Sequence, residues 1–238
     1  MNTTDTKLPS PKSYLFIGPP GGGKTTFALN FPGLWIGDCD NNLDGPLLHR
    51  RKLDPAFKCF YTDLNLNADG VRIENDADKW TRMLAAVNEA ITEPSVETLF
   101  LDSLTHFNEW LLQWSMKKHG IKEMQRQHWP LFRAQLINWI MRYRSCGKTT
   151  IVACHEEIKT DSQGNVLRYT PAMSSNLRDY FGYLFTDIYR FDSAPASGGK
   201  TAFTVQVTKS PRSDCKNSFG MTGEVKADWA EFKKGMGI

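Results

Sequence analysis

The chain has 238 residues, 40% hydrophobic and 23% charged, with a formal net charge of +3; this suits one soluble α/β domain with a sizeable core. No stretch approaches the roughly 18 apolar residues of a helical membrane span. Five scattered cysteines (Cys39, Cys59, Cys146, Cys154, Cys215) without a C-x-x-C pair argue for reduced cytosolic thiols and against a disulfide framework or a zinc site.

Residues 1–12 are polar, contain two prolines and lack the apolar core of a signal peptide, so they read as a disordered lead-in. One domain is expected over 13–213. Ser13–Ile17 reads as a buried strand, Thr25–Phe31 as a brief helix stopped by Pro32-Gly33, and Leu34–Gly37 and Phe57–Thr62 as the next strands. Trp80, Leu84, Val87 and Ile91 recur at helical spacing and predict a helix over Ala77–Ile91. Thr98–Leu101 reads as a fourth strand. Leu104, Phe107, Leu111 and Trp114 mark a helix closed by Gly120, and Phe132, Leu136, Trp139 and Tyr143 mark another before Gly147. A β-prone run over Thr149–Cys154, a hairpin over Glu157–Tyr169 and strands over Thr186–Phe191 and Ala202–Thr208 complete the pattern. Strands alternating with helices imply an α/β fold, a mostly parallel sheet with helices on both faces. Residues 214–238 are weakly periodic and read as a C-terminal tail suited to docking.

Gly18-Pro19-Pro20-Gly21-Gly22-Gly23-Lys24-Thr25 matches G-x-x-x-x-G-K-[ST], and it lies between a strand and a helix, as a P-loop must. Its glycines allow N–H groups to turn inward on phosphates, and the helix N-terminus adds partial positive charge. ATP and Mg²⁺ are the implied ligands. Lys24 is expected to reach the β- and γ-phosphates, Thr25 to give its hydroxyl to Mg²⁺, and Thr26 to lie near the α-phosphate. Thr98–Asp102 has the form of a Walker B strand. Asp102, expected beside the P-loop strand, would hold the Mg²⁺ shell through water and could also cap the following helix.

Many ATPases place a catalytic glutamate directly after that aspartate, but here the residue is Ser103. The carboxylate that orients the attacking water must then come from elsewhere. Asp38, Asp40 and Asp44 follow the second strand, at the sheet edge where open α/β folds bind ligands.

This combination resembles the RecA-like ATPases, whose catalytic carboxylate follows the strand after the P-loop helix and whose Walker B ends in Asp-Ser. The resemblance sets Asp40 on the catalytic glutamate, one methylene shorter, with Asp38 and Asp44 as acidic neighbours. Ile151–Glu157, which includes Cys154-His155-Glu156, is similar to the sensor strand of the phage nucleotide-binding proteins, a RecA-like family that includes single-strand-annealing recombinases. His155 would then sense the γ-phosphate. Tyr180–Phe191 and the turn Lys209-Ser210-Pro211-Arg212 share the likeness, and Lys209 and Arg212 would reach a neighbouring subunit's γ-phosphate. The resemblance implies a RecA-like core assembled as a ring or filament. It also implies DNA recombination or replication in the cytoplasm of a phage-infected cell, with single-stranded DNA and a single-strand-binding protein as partners and no membrane.

Lys117–Arg144 holds seven Lys/Arg against Glu123 alone, a local charge of +6 that leaves −3 for the rest. Lys117, Lys118, Lys122 and Arg126 are candidates for phosphate contact, with Trp129 as the stacking aromatic. Trp114, Trp139 and Tyr143 lie on apolar helix faces and read as core. Lys159, Arg168 and Tyr169 of the hairpin also suit single strands, although Glu156, Glu157 and Asp161 dilute the charge. The alternatives are a ring-forming helicase-type motor, a small-molecule P-loop kinase and a nucleotide-gated module with negligible turnover.

Overall fold

Side chains alternate along β1 (Ser13–Gly18), so Tyr14 and Phe16 enter one apolar cluster while Leu15 and Ile17 enter another. A strand buried on both faces must do this. The protein is described by a computed structural model over residues 12–173 and 175–236; the lead-in read over 1–12 lies outside these except for Lys12.

The strands are β1, β2 (Leu34–Asp38), β3 (Phe60–Asp63), β4 (Thr98–Asp102), β5 (Thr149–Thr160), β6 (Val166–Pro171), β7 (Asp187–Ala196), β8 (Lys200–Gln206) and β9 (Glu224–Lys226). They form one mixed sheet in the order β3-β2-β4-β5-β1-β7-β8-β9, with β6 paired to β5. From β3 to β7 each neighbouring pair is parallel, whereas β8, β9 and β6 are antiparallel additions. On one face lie α3 (Asp76–Thr92), α4 (Leu104–His119), α5 (Trp129–Arg144) and α6 (Ser175–Leu184). The other face packs on α1 (Lys24–Ala28) and α7 (Trp229–Met236), with α2 (Asp44–Leu53) next to α1. This is the expected α/β fold of a P-loop domain.

The sequence reading puts β4 beside β1, but β5 lies between them. Ile151 to Cys154 are all 0% exposed, as a strand at the centre of a sheet covered on both faces must be. The third strand starts at Phe60 rather than Phe57 and is a half-exposed edge. α2 has no apolar stripe to betray it, because none of its residues is buried. α6 does carry one, in Leu177, Phe181 and Leu184.

The segment from Asp214, read as a tail, packs on the sheet of its own chain. Lys216 bridges to Ile188, Ser218 donates to the buried Asp187 carboxylate, and β9 pairs with β8. Phe232 of α7 is 1% exposed and packs edge-on against Phe27 and Tyr189. Phe27 and Tyr189 lie far from Phe232 in sequence, so local periodicity gives no hint of these two contacts.

Candidate nucleotide and magnesium site

The parallel strands deliver their C-terminal ends to one edge. Register sets Gly18 of β1 opposite His155 of β5, and Asp38 of β2 opposite Asp102 of β4. The loop after β1 turns through Gly21 (φ 74°) and Gly23 (φ 93°), a left-handed region that glycine enters without strain. Gly18 is fixed by crowding instead, since a Cβ there would lie 2.4 Å from the Phe191 carbonyl oxygen. The loop feeds directly into α1, whose first residue is Lys24.

Lys24 is buried, and its Nζ donates to the carbonyls of Gly18 (2.8 Å) and Pro19 (2.9 Å). Burial lowers its pKa, opposed first by the charge of Asp102. Thr25 Oγ1 donates to Asp102 Oδ2 at 2.6 Å, so the two residues expected at Mg²⁺ touch directly. Asp102 is 7% exposed, and burial, then the charge of Asp40, push its carboxyl up to about 6 against the Thr25 hydrogen bond and Lys24. A buried carboxylate whose charge is disfavoured and a hydroxyl beside it are a hard oxygen pair, the donor set that Mg²⁺ takes. The residues therefore fit the ion. The Asp102–Ser103 peptide bond is cis.

Asp40 is the centre of a second cluster. Its Oδ1 accepts from Ser103 Oγ (2.9 Å) and His106 Nδ1 (2.7 Å), and its Oδ2 lies 3.2 Å from His155 Nε2. Burial would raise the carboxyl, but the hydrogen bonds from His106 and His155 overrule it and hold Asp40 well below the usual carboxylate range. The same bond to Asp40 raises the pKa of His106. Asp38 stays apart from this cluster. Its Oδ1 accepts the backbone N–H groups of Asp40 and Asn41 and shapes the turn that presents Asp40; Asp44 opens α2. Asp40, His106 and His155 each place a ligand atom within 4.8 Å of the others, and the carboxylate's hydrogen bonds account for that convergence without an ion.

The structure thus unites Lys24, Thr25 and Asp102, and it joins Asp40 to His155. It adds two residues that the sequence reading missed, Ser103 and His106. Ser103 N-caps α4 without a side-chain capping hydrogen bond, and its hydroxyl donates to Asp40 instead. The available signal was the run Asp102-Ser103-Leu104-Thr105-His106, which sets His106 in the first turn of α4.

The Arg212 carbonyl accepts from Tyr169 N of the hairpin, and Lys209 Nζ lies 3.9 Å from Asp214. Lys159 and Arg168 are opposite one another in the hairpin. The acids there are engaged elsewhere, Glu156 with Arg190, Glu157 with Arg178, and Asp161 within the turn. Lys118 lies over Trp114, Lys117 pairs with Asp78, Lys122 and Arg126 are exposed, and Trp129 is 37% exposed at the start of α5. Trp139 and Tyr143 are buried, as their helical positions require.

No helix among the described residues is long and apolar enough to cross a membrane. No curated protein matches the chain. A family model described as an AAA domain matches residues 10–219, which takes in the phosphate loop, Asp40, Asp102, the Asp40-bound histidines and the Lys209–Arg212 turn. With the P-loop at the end of β1 and its threonine bonded to the aspartate of β4, the chain belongs to the AAA domain family and is a P-loop ATPase domain.

Proposed function

We propose that this domain is a magnesium-dependent ATPase that anneals or pairs single-stranded DNA in phage recombination or replication, as a member of the phage nucleotide-binding group of RecA-like ATPases. The observation that carries the catalytic part is the environment of Asp40. A carboxylate offers roughly four lone-pair sites, and Ser103, His106 and His155 engage three donors on them, leaving one for a water. Asp40 is held too acidic to take a proton near neutral pH, so it orients the water's hydrogen while the water oxygen attacks the γ-phosphorus. Lys24 and the loop N–H groups bind and orient the phosphates, and His155 links Asp40 to the strand beside the loop. Thr25 and Asp102 would hold Mg²⁺, which supplies charge neutralisation at the phosphates when bound.

The DNA part rests on the basic hairpin Lys159–Tyr169 and the exposed cations Lys117, Lys118, Lys122 and Arg126 around Trp129. In a ring or filament, Lys209 and Arg212 would reach the neighbouring subunit's γ-phosphate; a single-strand-binding protein is the accompanying partner, in the cytoplasm of the infected host. The test is steady-state phosphate release with and without single-stranded DNA, across protein concentration and salt. Stimulation that fades with salt and rises cooperatively with protein is expected. Turnover indifferent to DNA would overturn the reading, and phosphoryl transfer to an added nucleoside would make the protein a kinase.

A further inference from the structure

The phosphate site has a direction. Asp40 follows β2, Asp102 ends β4 and His155 lies in β5, and these three strands all stand on the same side of β1. A γ-phosphate attacked beside Asp40 therefore lies on that side. A triphosphate is a linear chain, so its nucleoside end leaves the loop on the other side of β1, toward β7 and β8.

There the antiparallel β7–β8 pair runs on past the phosphate loop. Strand and loop touch, since a Cβ on Gly18 would lie 2.4 Å from the Phe191 carbonyl oxygen. Pairing sets Phe191 opposite Val205 and Ser193 opposite Phe203, and directly opposed residues and alternate residues share one face of a sheet. Phe191 and Val205 belong to the cluster that packs on α1, which puts Phe203 on the α1 face. Its ring reaches the loop: a Cβ on Gly23 would lie 3.1 Å from Phe203 Cδ1. Gly23 is the N-cap of α1, and Thr26, the residue expected at the α-phosphate, is exposed in the turn that follows.

Phe203 is 40% exposed, whereas Val205, next on that face of β8, is 0% exposed. An aromatic ring left open beside the phosphate loop, at the end where a nucleoside must emerge, offers a stacking partner to a flat ring. The backbone beneath it is held independently of the side chain, by pairing with Ser193 and by the Ala227 N–H, which donates to the Phe203 carbonyl.

We propose that Phe203 is the platform for the nucleotide base. The base stacks on the Phe203 ring, the phosphates run across the loop toward Asp40, and the larger ring system of a purine is preferred to a pyrimidine. The assignment rests on the nucleotide reading of the loop and adds the residue that selects the base.

The test compares steady-state hydrolysis of ATP and CTP by wild type, Phe203→Ala and Phe203→Trp, with inorganic tripolyphosphate as a competitor that has no base. In Phe203→Ala the KM for ATP should rise about five- to a hundredfold, the worth of one base–aromatic stack. Its kcat should stay within about threefold, because the contact is made equally before and during the reaction. The inhibition constant of tripolyphosphate should be unchanged, the preference for ATP over CTP should collapse, and Phe203→Trp should keep the wild-type pattern. An unchanged KM for ATP, or equal KM values for ATP and CTP in wild type, overturns the assignment. Tripolyphosphate weakened as much as ATP also overturns it, since the ring would then support the loop rather than the base. Wild-type protein that neither binds nor hydrolyses ATP overturns the nucleotide reading itself.

Discussion

Asp40→Asn separates catalysis from folding more cleanly than any other change in the site. The substitution keeps the side-chain shape and removes the charge that three donors converge on. A hydrogen bond to a charged group is worth about 1 kcal/mol more than one to a neutral group, so roughly 3 kcal/mol of attraction is lost. Against this, the Asp40 side chain is only 7% exposed, and relief from holding a charge out of water returns a few kcal/mol. The two nearly cancel, and the melting temperature should move by less than about 5 °C in a chain of this length. Turnover has no such compensation, because the amide binds the water more weakly and presents a donor where an acceptor is needed; it should fall about 10²- to 10⁴-fold. Phosphate release at saturating Mg-ATP gives the rate, and titration with a fluorescent ATP analogue shows that binding survives. Turnover within about threefold of wild type in a folded, ATP-binding variant would refute the assignment.

Lys24→Ala should abolish phosphate release, since the buried ammonium at the mouth of the loop is gone; wild-type rates in a clean preparation would remove the phosphate loop from the chemistry. If Lys209 or Arg212 acts on a neighbouring subunit, inactive Lys24→Ala and Arg212→Ala proteins should partly restore activity when mixed, and no rescue in demonstrably mixed oligomers counts against that arrangement. The raised pKa of His106 means that its protonated form stabilises the fold below the ordinary imidazole value, and this contribution is lost as pH rises through the folded value. The melting-temperature gap between wild type and His106→Ala should therefore be larger at about pH 6 than at about pH 9; a gap that grows with pH reverses the sign and rejects the pairing with Asp40. Phe232→Ala should cost about 3–5 kcal/mol, visible in a denaturant melt, whereas a dispensable tail would show no change.

The sequence alone determined what short contiguous segments can hold. Gly18–Thr25 is legible because its geometry follows from local backbone freedom between a strand and a helix. Asp102 and the helices over Asp76–Thr92, Leu104–His119 and Trp129–Arg144 are legible because caps and apolar period act over a few residues. The family likeness added Asp40 and His155 as positions. Only the tertiary structure decided how these meet. Insertion of β5 between β1 and β4 sets His155 against Asp40 across 115 residues, and the N-cap of α4 brings Ser103 to the same carboxylate across 63. The Lys209–Lys216 segment meets the hairpin, and Phe232 finds Phe27, by the same route. Strand order and register depend on which surfaces bury most completely against one another, a property of the whole sheet that no window of the chain contains.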